Sequence, residues 1–154
     1  MHRYLRKITN IILICNGKGT KKSYKNHYIH EGEFTNGSAT GHGTRKYGLN
    51  GDMGVYTGQW VDDKRNGKGK FIYGSYFTKT AGDVYDGEWL DDKKTAKGKI
   101  TYANGDTFEG YFLNGLKNGP GKYKFKTGLE YDQTFENGWQ VGNKSDKKIK
   151  VYTE

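Results

Sequence analysis

Three groups of residues carry types and spacings that chemistry could use. Gly17-Lys18-Gly19-Thr20, echoed by Gly67-Lys68-Gly69, offers the amides and ammonium groups of a phosphate cradle. The full G-x-x-x-x-G-K-[ST] arrangement is absent, so glycine-rich hairpins are the better reading. His27, His30 and Glu31 or Glu33 have donor atoms for a metal, but no distant pair of His or Cys matches them and His42 stands alone. Zinc needs three or four convergent ligands. The carboxylate pairs Asp62-Asp63 and Asp91-Asp92 would do acid–base work only if burial raised one pKa of each pair. They fall in turns beside Lys64, Arg65, Lys93 and Lys94, where solvation and local charge balance are expected. No Ser/His/Asp or Cys/His constellation stands apart from the repeat described next. The sequence therefore predicts no enzyme, no cofactor and no metal.

What positions these residues is a repeated two-strand unit. Residues 56–73 read YTGQWVDDKRNGKGKFIY: two alternating runs joined by a polar turn. A strand has a side-chain period of two, so Tyr56, Gly58 and Trp60 share a face. Gly67, Gly69, Phe71 and Tyr73 share the facing side of the second run. The pattern is aromatic-x-Gly-x-aromatic, then Gly-x-Gly seven residues beyond the second aromatic, then an aromatic four residues later. It recurs at Tyr85, Gly87, Trp89, Ala96, Gly98 and Tyr102, and at Phe108, Gly110, Phe112, Gly119, Gly121 and Phe125. An earlier copy reads His30, Gly32, Phe34, Gly41, Gly43 and Tyr47, so packing accounts for His30. The basic period is 23 residues, and extra residues fall only in the connections 48–55 and 74–84. Insertions confined to one kind of connection are what a solenoid permits.

Each unit is expected to be a β-hairpin turning at Gly37, Asp63, Asp92, Gly115 or Gly138, residues that tolerate left-handed backbone. The glycines of the aromatic face are read as space-makers, leaving slots for rings of the adjoining hairpin. Stacking would bury the rings, which no hairpin could do alone. The fold class is therefore all-β, a single-sheet solenoid of stacked antiparallel hairpins.

The chain divides into residues 1–27, a basic arm or degenerate repeat, residues 28–140, the array, and residues 141–154, a basic strand or tail. In the array, Tyr131, Gln133 and Phe135 open a fifth unit whose glycine has become Gln133, read as a capping half-unit. Gly17-Lys18-Gly19 lies 24 residues before Gly41-x-Gly43, so residues 8–23 could be a worn first unit with residues 11–15 as its buried strand. Lys148–Val151 alternates like a last strand.

The net charge of +9 resembles a nucleic-acid signal until it is mapped. Residues 28–140 hold 15 basic and 15 acidic side chains, so the array is neutral and nucleic acid is not an expected partner. The excess sits at the ends, chiefly on Arg3, Arg6, Lys7, Lys18, Lys21, Lys22 and Lys25. That arm could contact acidic proteins or anionic phospholipid. Cys15 is the only cysteine, so no internal disulfide forms, which fits a reducing, intracellular compartment. Arg3, Arg6 and Lys7 before residues 8–15 imitate a signal peptide, but Thr9 and Asn10 interrupt the apolar stretch and no small-residue cleavage site follows.

The motif Tyr56-Thr-Gly58-Gln-Trp60 with Asn66-Gly67-Lys-Gly69, and its recurrences, resembles the MORN repeat over residues 28–140. That resemblance implies hairpins in a single-file, elongated, twisted sheet, and scaffolding rather than catalysis. It further implies protein partners in an axonemal or cytoskeletal assembly, and a cilium or cytoskeleton as the location. Phe112-Leu-Asn114 with Gly119-Pro120-Gly121-Lys122-Tyr123-Lys-Phe125, then Gly128 and Glu130, is similar to the closing repeats of a MORN protein of ciliary radial spoke heads. The repeat-stacking residues implied are Gly32, Phe34, Tyr56, Gly58, Trp60, Tyr85, Gly87, Trp89, Phe108, Gly110, Phe112, Gly119 and Gly121. Open sheet edges make a homodimer a further expectation, and a peripheral membrane module is the alternative function.

Overall fold

The computed structural model describes residues 16–48 and 50–141. They form eleven antiparallel strands and no helix: β1 (Gly17–Ser23), β2 (Tyr28–Thr35), β3 (Ser38–Tyr47), β4 (Gly54–Val61), β5 (Lys64–Tyr73), β6 (Val84–Leu90), β7 (Lys93–Thr101), β8 (Thr107–Leu113), β9 (Leu116–Lys124), β10 (Glu130–Glu136) and β11 (Trp139–Val141). Spatial order equals chain order, so the molecule is one open meander. At about 4.8 Å per strand spacing the sheet is roughly 48 Å wide.

Five two-residue turns close the hairpins. Their central pairs all have positive φ: Asn36-Gly37, Asp62-Asp63, Asp91-Asp92, Asn114-Gly115 and Asn137-Gly138. That is the type I′ geometry, whose twist matches the flanking strands and which Asn, Asp and Gly adopt most readily.

The register explains the glycines. Gly19, Gly32, Gly43, Gly58, Gly69, Gly87, Gly98, Gly110 and Gly121 stand opposite one another in an unbroken row across nine strands, ended by Gln133. Just past this row each of the four central hairpins slips register. Gly58 faces Gly69 but Trp60 faces Arg65, so the second strand carries two extra residues. The same slip occurs after Gly32, Gly87 and Gly110. It is absorbed at Gly41, Gly67, Ala96 and Gly119, all with positive φ.

Gly119 therefore departs from its expected role in ring stacking. A Cβ there would meet only the Tyr111 Cβ, at 3.7 Å, so what the position requires is left-handed backbone rather than room. Among the described residues the sheet begins at Gly17, with Gly19 opposite Gly32. β1 meets β2 in the same register in which β3 meets β4. Residues 11–15, the expected buried strand of a worn first unit, lie outside the described residues, as does Lys148–Val151.

Candidate functional site

The face that carries the glycine row also carries the core. Phe34, Tyr56, Trp60, Tyr85, Trp89, Phe108 and Phe112 are all buried on it, although the sheet is a single layer. They are covered because the first ring of each hairpin lies along its own strand, flat over the glycine pair. A Cβ on Gly87 would fall 2.6 Å from Tyr85 Oη and 2.7 Å from Gly98 Cα. Tyr56 sits likewise on Gly58, Phe108 on Gly110, and His30 on Gly32. This corrects the expectation that each slot receives a ring from the adjoining hairpin. Side chains in strands lean along the strand direction, and two facing glycines leave a floor for the hairpin's own ring.

The second ring is the one that crosses between units. Trp60 Nε1 donates to Gly43 O at 3.1 Å, and Trp89 Nε1 to Gly69 O at 3.0 Å, each in the preceding hairpin. The rings alternate edge to face in one chain. Centroid distances are 5.2 Å for Phe34–His30, 4.8 Å for His30–Trp60, 4.9 Å for Trp60–Tyr56 and 5.4 Å for Tyr56–Trp89. The chain continues Trp89–Tyr85, Tyr85–Phe112, Phe112–Phe108 and Phe108–Phe135 at 5.2, 5.1, 6.0 and 5.4 Å. Such perpendicular contacts set the positive ring edge against the negative face and add about 0.5–1.5 kcal/mol each beyond burial.

A row of cations roofs these rings. The Arg45 guanidinium lies 4.1 Å from the Trp60 ring and the Arg65 guanidinium 4.2 Å from Trp89. Lys94 Nζ lies 4.9 Å from Tyr85 and Lys117 Nζ 3.9 Å from Phe108. Arg65, Lys94 and Lys117 each stand two residues past a turn's second residue. The first hairpin has fully buried Ala39 there, and Arg45 reaches in from further along β3.

Sequence reasoning missed this row as a unit, although three basic residues in one repeat column were the available signal. It also misread the turn carboxylates as balanced locally. Asp63 Oδ1 accepts from Ala39 N at 3.2 Å and Arg45 Nη2 at 3.0 Å, and its Oδ2 from Lys21 Nζ at 3.2 Å. Asp92 Oδ1 accepts from Arg65 N at 3.0 Å and Arg65 Nε at 2.9 Å. The exposed Asp91 pairs with Lys64 at 3.2 Å. Each of these acids thus reaches back to an earlier hairpin, whose turn it already meets through a backbone hydrogen bond from Asp63 N or Asp92 N. Burial opposes ionisation of Asp63, but the Ala39 amide and the Lys21 and Arg45 charges outweigh it and hold its carboxyl below the ordinary range.

At the connector end Asp83 and Asp106 act similarly, accepting from Ala103 N and Lys126 N at 2.9 Å. The Asp106 carboxyl, bonded by Tyr123 Oη at 2.6 Å, is held below the usual carboxylate range.

Among the described basic-arm residues, Lys21 turns toward Asp63, whereas Lys18, Lys22 and Lys25 are exposed. Arg3, Arg6 and Lys7 lie outside the described residues. Gly17 to Thr20 belong to β1, the outermost strand among the described residues. His30 is fully buried between Phe34 and Trp60. In β9, Lys117 sits on the ring face while Lys122 pairs with Asp132 at 3.0 Å on the other, so its lysines do not form one basic surface.

The family model described as "MORN repeat" matches residues 30–48, 56–76, 85–107 and 108–130, together more than half of the chain. No individual curated protein matches it.

Proposed function

The chain belongs to the MORN-repeat family, and from that premise we propose that it is a non-enzymatic scaffold that binds other proteins within a larger assembly. The observation that carries this reading is the unbroken chain of nine rings from Phe34 to Phe135. The aromatic surface is consumed in joining hairpins. What remains outward on the described residues is charge, loops, scattered apolar side chains such as Val61, Leu90 and Tyr111, and the outer strands of the sheet: the makings of a rigid contact surface rather than of a reaction centre.

The setting we propose is a ciliary or cytoskeletal assembly, with a radial spoke head as its most specific form. Support comes from the resemblance of residues 112–125, with Pro120 between Gly119 and Gly121, to the closing repeats of a spoke-head protein. Pairing of edge strands between two copies is the proposed route to a homodimer.

Affinity capture from ciliated-cell extract followed by mass spectrometry tests the assignment. Axonemal or cytoskeletal proteins should be recovered at physiological salt. Recovery of neither class overturns the setting.

A second reading, contact with anionic phospholipid, is favoured by Lys18 and Lys22, both exposed on the same face of β1. Liposome co-sedimentation at physiological salt should then depend on residues 1–25. Binding unchanged by their deletion removes it.

A further inference from the structure

The turns of neighbouring hairpins are joined by one backbone hydrogen bond, and it recurs four times. Asp63 N donates to Ala39 O at 3.0 Å and Asp92 N to Arg65 O at 3.1 Å. Gly115 N donates to Lys94 O, and Gly138 N to Lys117 O, both at 2.9 Å. In the first two cases the turn residue also returns a carboxylate. Asp63 takes the Ala39 amide and the Arg45 guanidinium, and Asp92 takes the Arg65 amide and guanidinium. In the last two cases the turn residue is glycine, so the cation remains and its carboxylate does not. No carboxylate lies within ion-pair distance of Lys94 or Lys117 among the described residues.

The two glycine positions differ in access. At Gly138 a Cβ would meet Leu116 side-chain carbons from 3.5 Å, whereas at Gly115 it would meet nothing within 4 Å. Beside Gly115 opens a concavity of about 280 Å³ whose wall includes Trp89, Lys93 and Lys94. Asp92 and Arg65 also line it, but they neutralise each other at 2.9 Å.

We propose that the space above Gly115 is a docking site for the carboxylate of an acidic side chain on a partner protein, held by Lys94. The occupant follows from the chain's own filled copies, which place one carboxylate against one amide and one cation. A phosphate has three oxygens to satisfy and is less well matched to that pair of donors. The adjacent Lys117 amine is pushed down to about 8 by burial and by the Lys94 charge, so a carboxylate arriving here relieves a repulsion already built in. The inference rests on the scaffold reading and specifies one contact within it.

The test is fluorescence anisotropy with a labelled hexaglutamate peptide at physiological salt, using the full chain. Gly115→Asp puts into this turn the residue that Asp63 and Asp92 already are, at φ 64° and 66° against 88° here. It should therefore fold, melt above the wild type and bind the peptide at least tenfold more weakly. Lys94→Met should weaken binding to a similar degree. Lys97→Met is the control, because Lys97 pairs with Glu109 at 2.8 Å on the outer face, and its effect should stay below twofold.

All three variants lower the net charge by one, so general attraction to a basic protein would weaken them equally, and that result overturns the proposal. Peptide binding by Gly115→Asp at wild-type strength also overturns it. So does binding of phosphatidylserine vesicles, but not peptide, that Gly115→Asp abolishes. Loss of the peptide site while wild type and Gly115→Asp capture the same partners from extract sinks this contact alone. Absence of any captured partner sinks the scaffold reading instead.

Discussion

The first and third ring slots have the same floor and different occupants. Tyr85 lies over the Gly87–Gly98 pair, and its Oη donates to Glu88 O at 3.1 Å, a carbonyl at the register slip. His30 lies over Gly32–Gly43 in the equivalent place, yet neither Nδ1 nor Nε2 has a partner. Both residues are fully buried. Burial, then the Arg45 charge, bring the His30 pKa down to about 4, with Asp63 opposing and Lys21 adding to the fall. The slot selects a flat ring by shape. Whether the ring's polar end is satisfied is a separate matter, and in the first hairpin it is not.

The largest expected difference concerns the rings beside these slots. Trp89 lies between Tyr56 and Tyr85 and donates to the preceding hairpin, whereas Phe34 meets His30 at the end of the chain of rings. Trp89→Ala should cost about 3–5 kcal/mol, with Phe34→Ala at or below the low end of that range. Urea unfolding of the two variants measures the difference. An equal cost would mean that the rings stack pairwise and that position in the chain of contacts is irrelevant.

The second difference is in acid. His30 has its ordinary pKa of 6.5 when unfolded and about 4 when folded, so the unfolded chain takes up its proton first. Its share of stability is intact above pH 6.5, is lost progressively as pH falls toward 4, and amounts to about 3 kcal/mol at the limit. His30→Phe should remove that slope. Identical slopes for wild type and variant between pH 7 and 4 would separate the proton uptake from this slot.

How much of this was legible depends on the range of the interaction. The aromatic and glycine columns and the five turns lie within single hairpins, so spacing and period two reveal them. The lean of Tyr56 and Tyr85 over their own glycines was not visible, because the period fixes a side chain's face and not its direction along the strand. Glycine also hid two roles under one letter: Gly121 makes room and Gly119 supplies left-handed backbone. Ala96, at φ 47° in the same column as Gly119, was the clue that room was not the requirement. The pairing of Asp63 with Arg45 and of Asp92 with Arg65 crosses between hairpins, 18 and 27 residues apart. It needed the lateral register, which no motif states.

The finest comparison replaces one occupant by the other. Phe108, in the fourth slot, shows that a ring without a polar end is accepted over Gly110–Gly121. His30→Phe should therefore stabilise the protein at pH 7 by removing two buried nitrogens that lack partners. His30→Tyr should do the same and add a hydroxyl that reaches Glu33 O, the counterpart of Gln59 O and Glu88 O, which Tyr56 and Tyr85 bond at 3.0 and 3.1 Å. The gain of Tyr over Phe should be about 1 kcal/mol, the net worth of one hydrogen bond. Urea unfolding at pH 7 reads it as a shift in midpoint at constant slope. If Tyr is no better than Phe, the carbonyl exposed by the first hairpin's slip differs from those of the later hairpins. The unmatched histidine would then be a consequence of that backbone rather than of the residue placed on it.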